Sequence, residues 1–505
     1  MDSKRFRRAK KAIISWHDPC LRIILLARFT PHLYEALRYQ LINDTGGENA
    51  LAICYAPVIE TMERHALEEL QFNKLLNLLR FAYNSIPFYR VKCDAVGVRP
   101  GDIGSLDDFY AKWPMIMKAD LIQDQEANPP YGTRIGVPMD KVVQIHITSG
   151  TSGSGQEVYL QTVQDVEYSG TLWTLHFFTT GIRKGDIVAN LIPMGPLAGS
   201  LSIEQSLAQL GAIPLHLAIY DTEVKLKYMR KFRVNYMLTQ PAYLTRLALF
   251  CKELGLDPRQ EFPSLKGITI MAEPYPVFWA QQMESFWGCT IHEIYGSTQV
   301  GSILAGSCEP GVTPNGQRGT LHIYEHSNLV EVRNPETNDL VADGQAGELI
   351  ITTLSRQGSP LIRYRTGDLV TLVAYDRCGC GRTLNALQAG TVCRLDDMIK
   401  MKGTNVWPQA VEEVVFSREE IEEYNGRVFI DEQGREQVEL LIEFKRGYEN
   451  LDRAPFMAKL VTDLKDKTQV TMLVREVPYG TIQRYEYKVR RWRDEREVGL
   501  GNINL

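Results

Sequence analysis

At 505 residues the chain is too long for one compact core, and about three folding units are expected. Its 61 acidic and 56 basic residues nearly balance, at a net charge of −5. That removes the electrostatic case for nucleic acid or an anionic membrane as the main partner and leaves a small, neutral-to-anionic ligand as the easier reading.

The first residues are basic (Lys4, Arg5, Arg7, Arg8, Lys10, Lys11), but His17, Asp18 and Pro19 break the apolar run behind them, so the pattern is not that of a signal peptide. The next run, LRIILLARF, is too short and too charged for a bilayer, which takes about 20 apolar residues. No transmembrane segment is expected, and residues 1–65 read as a mainly helical N-terminal extension. Nine cysteines, an odd number without an export signal, point to a reducing compartment; a cytoplasmic protein without disulfides is expected.

Between 55 and 85, Leu67, Leu70, Leu75, Leu78 and Leu79 fall on one helical face, and SIPFYR ends the helix at Pro87. From about residue 140 short apolar runs (DIVANLIP, VNYMLTQP, GITIMAEP, TIHEIYG) alternate with helical segments such as VFWAQQMESFW. The rhythm is α/β with largely parallel sheets, in which the residues after each strand's carboxyl end line the binding crevice. Between about 315 and 375 strands linked by turns predict a smaller antiparallel unit. From about 397 a helix at PQAVEEVVF and a hairpin turning at Gly434 predict a small α+β domain.

Chemistry is first suggested by SGTSGSGQ, residues 149–156, where Ser149, Gly150, Thr151, Ser152 and Gly153 offer unshielded backbone N–H groups and hydroxyls suited to phosphate oxygens. The spacing of Gly150 and Gly155 imitates a P-loop, but Gln156 and Glu157 stand where Lys and Ser/Thr should follow, so that reading fails. Taken alone, the stretch reads first as a polar Gly/Ser turn.

Further along, EIYGSTQ (293–299), RYRTGD (363–368), RLDDMIKMKGTNVWPQAVEEV (394–414) and RYEYKVRR (484–491) follow in order. Together with the loop they resemble the adenylate-forming ligase superfamily, and NLLRFAYNSIPFYR and VGVRPGDIGSLDDF resemble the entry pattern of its phenylacetate–CoA ligase branch. The resemblance spans roughly residues 70–495. It implies an α/β fold: a large domain (66–394) with mixed and parallel sheets and a small antiparallel unit, a hinge at 395–396, and a small mobile C-terminal α+β domain (397–505).

By that resemblance Tyr295 stacks on adenine, with Ala272, Glu273 and Pro274 on the other side of the base and Gly296 and Ser297 in the same nucleotide site. Thr298 donates to the α-phosphate, Asp368 accepts the ribose hydroxyls, and Arg394 and Asp396 form the hinge region. Lys488, on the closing loop, meets the forming acyl phosphate; a solvated charged tail is its plainer alternative. The branch also carries cysteines and a histidine placed like Cys308, His322, Cys378 and Cys380, a set that suits a closed structural Zn²⁺ site and could equally be four unligated side chains.

Four positions depart from the pattern. Gln299 replaces the glutamate that helps hold Mg²⁺, Ser154 replaces the loop lysine, Cys393 replaces a glycine before the hinge arginine, and Tyr487 replaces the glycine before Lys488. A neutral amide still ligates a hard cation but brings no charge. The missing loop lysine removes a positive charge near the β- and γ-phosphates, so triphosphate binding is expected to be weaker than in a typical member. The resemblance implies ATP, Mg²⁺ and a carboxylic acid as reactants, an aromatic or arylalkyl acid by analogy. The acyl group passes to coenzyme A, with a carrier-protein phosphopantetheine or an amine as alternative acceptors, and a homodimer is left open. A non-catalytic nucleotide-binding homologue is the reading from another class, motivated by Gln299 and Ser154.

Overall fold

A computed structural model describes residues 54–148, 155–193, 198–395, 399–401, 404–431, 433, 435–483 and 491–496. Most of the expected N-terminal extension, the loop residues Ser149, Gly150, Thr151, Ser152 and Gly153, the hinge Asp396, Gly434 and Lys488 lie outside the described residues.

Helix α1 (Arg64–Ser85) buries Leu67, Gln71, Leu75, Leu78, Leu79 and Ala82, a stripe at helical spacing. Gln71 is the polar member of that stripe, and its amide donates to the backbone carbonyls of Glu325 (2.9 Å) and Asn328 (3.0 Å), so it carries no unmet hydrogen bond into the core. The helix stops at Ile86, held extended before Pro87, and the proline then opens α2 (Pro87–Ala95), where its missing N–H costs nothing.

Strands β1 (Val142–Ile147) and β2 (Val158–Thr162) pair antiparallel, with Ile147 opposite Val158, so the loop 148–157 is the connection of a hairpin. Helix α3 (Val163–Thr179) follows, capped by Thr162, whose hydroxyl accepts from the Asp165 N–H at 3.1 Å.

Next in the chain come β3 (Ile187–Asn190), α4 (Ser200–Leu210), β4 (Ile213–His216), α5 (Thr222–Lys231), β5 (Tyr236–Thr239), α6 (Pro241–Glu253), β6 (Gly267–Met271), α7 (Val277–Trp287) and β7 (Thr290–Tyr295). These strands pair parallel in the order β7-β6-β5-β3-β4. The inner strands are covered on both faces, which explains their continuous apolar runs.

The antiparallel unit consists of β8 (Ala305–Ser307), β9 (Thr320–Ile323), β10 (Asn328–Arg333), β11 (Ala346–Thr353), β12 (Tyr364–Val373), β13 (Ala386–Gln388) and β14 (Cys393–Arg394). It continues the parallel half edge to edge, in the order β10-β11-β12-β13-β9-β8-β7, with β14 on β12. One apolar core runs under both halves, from Leu244 and Ile268 to Leu349 and Leu387.

Past residue 398 lie β15 (Ile399–Met401), β16 (Thr404–Val406), α8 (Pro408–Val415), β17 (Ile421–Ile430), β18 (Glu436–Phe444), α9 (Arg453–Thr468), β19 (Leu473–Val477) and β20 (Trp492–Asp494). They close on a core of their own that includes Val411, Val415, Tyr424, Leu440, Leu460 and Leu464. Among the described residues no helix is long and apolar enough to cross a membrane.

Candidate active site

Strands β6 and β7 run side by side and parallel, Met271 beside Ile294, so the segments that follow them leave from the same end of the sheet. Ala272, Glu273 and Pro274 thus follow β6, and Gly296, Ser297, Thr298 and Gln299 follow Tyr295, the last residue of β7, at that end. The chain bends sharply at both exits. Ala272 sits at φ +75°, a conformation unfavourable for an L side chain, and it is held there partly by Glu273, whose Oε2 accepts from the Ala242 N–H at 2.9 Å. Gly296 is required by close approach, because a Cβ on it would lie 2.0 Å from the Ser302 carbonyl oxygen.

The turn after Gly296 is fixed through its backbone. Gly301 N–H donates to the Thr298 carbonyl at 3.1 Å, and Nη1 of Arg356 donates to the carbonyls of Thr298 (3.3 Å) and Gln299 (2.6 Å). Arg356 is buried against the Tyr159 ring, 5.0 Å from its centroid, and burial lowers its pKa to about 10. Its Nε and Nη2 have no hydrogen-bond partner among the described residues. Sequence reasoning missed this residue, since nothing in LSRQGS ties it to a turn 57 positions away.

Three predicted nucleotide residues converge. Tyr295 donates its hydroxyl to Oδ2 of Asp368 at 2.5 Å, and Arg394 donates Nη1 to Oδ1 of Asp368 at 3.1 Å and to the Thr366 carbonyl at 2.8 Å. The register that places Asp368 opposite Arg394 comes from the β12–β14 pairing. Between them Gly367, at φ +71°, lets the Arg394 guanidinium pass 3.0 Å from where a Cβ would stand. Burial, then the Asp368 charge and hydrogen bond, hold the Tyr295 phenol well above its usual pKa, so it remains a donor.

Gln299 donates Nε2–H to Oε2 of Glu157 at 2.7 Å. The other carboxylate oxygen, Oε1, accepts from the hydroxyls of Tyr159 (2.8 Å) and Tyr364 (3.1 Å). In the sequence Glu157 is only a mismatch to a P-loop; its pairing with Gln299 across 142 positions is a feature of the fold alone.

Cys308, His322, Cys378 and Cys380 also meet, with their ligand atoms all within 4.8 Å of one another. Sγ of Cys308 is 3.5 Å from Sγ of Cys378, far beyond the roughly 2.05 Å of a disulfide and near the spacing of two sulfurs on one tetrahedral Zn²⁺. His322 turns Nε2 toward Sγ of Cys380 (3.3 Å), while Nδ1 faces the Leu384 carbonyl at 3.3 Å, the second contact that orients a zinc-bound imidazole. Burial opposes charging His322, but the Cys378 and Cys380 sulfurs outweigh it and push its pKa up to about 9. The donor set fits a closed Cys₃His site. Its loop is also tied to the start of the described chain, where Arg382 donates Nε to Glu60 at 2.8 Å, both side chains buried.

A cleft of about 620 Å³ opens between Phe278 and residues of the C-terminal region such as Arg418 and Phe456. None of the predicted nucleotide residues lines it, so the site is assigned by the convergence of Tyr295, Asp368 and Arg394.

The AMP-binding enzyme family profile matches residues 103–355, and that of the AMP-binding enzyme C-terminal domain matches residues 403–496. The phenylacetate-coenzyme A ligase of Aromatoleum evansii is 32% identical over 358 residues, covering 71% of this chain and 77% of its own. That of Escherichia coli is 30% identical over 450 residues, covering 87% and 97%. That of Thermus thermophilus is 29% identical over 460 residues, covering 88% and 100%. Among solved structures, 2-hydroxyisobutyryl-CoA ligase in the postadenylation state with 2-HIB-AMP has a TM-score of 0.79 at 24% identity, covering 88% of this chain and 92% of that one. The same enzyme with 2-HIB-AMP and CoA in the thioesterification state has a TM-score of 0.63 at the same identity and coverage. The chain belongs to the AMP-binding, adenylate-forming enzymes, in the phenylacetate-coenzyme A ligase family.

Proposed function

We propose that the protein is an ATP-dependent, AMP-forming acid–CoA ligase acting on an aromatic or arylalkyl carboxylic acid. A carboxylate oxygen attacks the α-phosphorus of ATP, the bond to the β-phosphate breaks, and pyrophosphate leaves. The thiol of CoA then attacks the acyl carbon of the adenylate, losing its proton, and AMP leaves. The observation that carries this reading is the Tyr295–Asp368–Arg394 cluster at the mouth of the parallel strands, in a chain of this family.

Tyr295 and the 272–274 segment bracket the base, and Asp368 takes the ribose hydroxyls. Thr298 and Lys488 hold the reacting oxygens in line, and Ser149, Gly150, Thr151, Ser152 and Gly153 cradle phosphate. Residues 66–394 and 397–505 act as large and small domains about the hinge at 395–396, so that one site serves both half-reactions. Mg²⁺, when bound, offsets charge on the departing pyrophosphate, with Gln299 as an oxygen donor. A structural Zn²⁺ held by Cys308, His322, Cys378 and Cys380 belongs to the same reading.

The test is acid-dependent release of pyrophosphate from ATP over a panel of acids, followed by CoA, a carrier protein or amines as acceptors. Release with an arylalkyl acid and turnover only with CoA is expected. ATP binding without release for any acid would replace this reading by a nucleotide-binding, non-catalytic one. Acyl-AMP accumulation without CoA turnover would redirect it to another acceptor.

A further inference from the structure

Position 299 is where the family pattern brings a carboxylate toward the metal-bound triphosphate, and Gln299 brings none. A carboxylate nevertheless stands next to it. Glu157, the residue before β2, is 0% exposed and accepts the Gln299 amide N–H at 2.7 Å.

We propose that Glu157 restores from behind the charge that position 299 lacks: by taking the Gln299 amide N–H it turns the amide oxygen toward a divalent cation on the nucleotide and polarises that oxygen. This rests on the adenylating reading above.

The orientation follows from the chemistry of the pair. A carboxylate only accepts, so the side of the amide facing it at 2.7 Å must be the NH₂, and the remaining polar atom, Oε1, is left for another partner. The reverse orientation would set an amide oxygen against a buried carboxylate. Glu157 is itself immobilised. Its Oε1 accepts from Tyr159 and Tyr364, its N–H donates to Oγ1 of Thr148 at 2.9 Å, and its carbonyl accepts from the Thr148 N–H at 3.0 Å. With both oxygens engaged and no exposed surface, Glu157 reaches a cation only through Gln299. From the other side Arg356 clamps the Thr298 and Gln299 carbonyls. The arrangement is the amide counterpart of a carboxylate set behind a metal ligand to raise its basicity. It also ties the residue that precedes β2 to the 295–299 turn.

The test uses the full chain and a non-hydrolysable ATP analogue, titrated calorimetrically at a series of Mg²⁺ concentrations and with none, for wild type, Glu157→Gln, Gln299→Glu and the double exchange. Ligand-free melting temperature is the second readout. Glu157→Gln is expected to raise the Mg²⁺ needed for half-maximal nucleotide binding by about 10-fold, the lower end of the cost of losing such an outer partner, and to leave metal-free affinity unchanged. Gln299→Glu alone is expected to lower the melting temperature, because it sets two carboxylates against each other. The double exchange, which moves the charge to 299 and the amide to 157, is expected to recover both Mg²⁺ dependence and stability. Unchanged Mg²⁺ dependence in folded Glu157→Gln, or an equal loss of affinity with and without Mg²⁺, would overturn the proposal. Should Glu157→Gln not fold, failure of the double exchange to recover Mg²⁺ dependence overturns it instead. Absence of nucleotide binding in wild type would overturn the adenylating reading itself.

Discussion

Tyr295 and Asp368, 73 positions apart, share a hydrogen bond of 2.5 Å, and Arg394 closes on the other oxygen of the same carboxylate. Both carboxylate oxygens are thereby held in place before any ligand arrives, which is what a ribose-binding acid needs. Asp368→Asn keeps the shape and removes the charge. A hydrogen bond to a charged group contributes about 1.5–3 kcal/mol, so the ATP KM in pyrophosphate release is expected to rise by roughly 10- to 100-fold. Tyr295→Phe keeps the ring and loses only its tether to Asp368, and a rise of about threefold is expected. A KM unchanged in both variants would take the nucleotide away from this cluster.

The Cys₃His cluster predicts one zinc per chain by elemental analysis and no direct part in catalysis, because four protein donors leave no open position. Cys380→Ser, or prolonged chelation, is expected to lower the melting temperature by about 5 °C or more while kcat of the protein still folded stays near wild type. Purified protein without stoichiometric zinc, and with an unmoved melting temperature in Cys380→Ser, would leave the cluster as four unligated side chains.

Much of this site was legible because its residues sit in short motifs at strand ends, and strands reveal themselves locally. The runs at 187–190, 236–239, 267–271 and 290–295 are apolar, bounded by Gly or Pro, and fold as the strands expected of them. The reason for Gly296 was not legible: the Ser302 carbonyl that forbids a side chain there becomes a neighbour only once the turn is folded. Nor does AEP betray that Ala272 takes a positive φ. The contacts that hold the site in place, Glu157 to Gln299 and Arg356 to the Gln299 carbonyl, join segments 142 and 57 positions apart. Periodicity carries no information about pairings of that range, since it records which face of an element is buried and not against what.

Glu293, two residues before Tyr295, gives a prediction in pH. Burial raises its carboxyl pKa from 4.5 to about 7, against the opposing effects of the Tyr275 hydroxyl and the Gly390 N–H that it accepts. The folded state therefore holds a proton that the unfolded state has released between about pH 4.5 and 7. Folding stability contributed by this group is complete below pH 4.5 and is lost as pH rises through that window, by up to about 3 kcal/mol. Glu293→Gln imitates the protonated form and keeps an oxygen for Tyr275 and Gly390. Its melting temperature is expected to match wild type at pH 5 and to exceed it at pH 8. A difference between the two proteins that does not change with pH would mean that Glu293 is ionised throughout.

Helix α8 presents Gln409 and Glu413, four residues apart on one face, to the body of the large sheet. Gln409 donates Nε2–H to the Gly390 carbonyl at 2.8 Å, and Arg318 donates Nη2 to Oε1 of Glu413 at 2.8 Å. Arg318 is in turn fixed by the Tyr275 and Ala389 carbonyls, at 3.2 and 3.0 Å, so it offers Glu413 a placed partner at little entropic cost. In the proposed rotation of the C-terminal region about residues 395–396 both contacts would part, so they favour the present arrangement. A partly buried ion pair of this kind contributes about 1 kcal/mol, or roughly a fivefold shift in the balance of arrangements. Glu413→Gln, which also weakens the ion pair of Glu413 with Lys467 (2.9 Å), is expected to shift the single-turnover rates of acid-dependent adenylation and of thioester formation from preformed adenylate severalfold in opposite directions. Reversing the pair, Arg318→Glu with Glu413→Arg, is expected to undo part of that shift. Equal slowing of both half-reactions by Glu413→Gln would show that the contact supports the fold and does not select between arrangements.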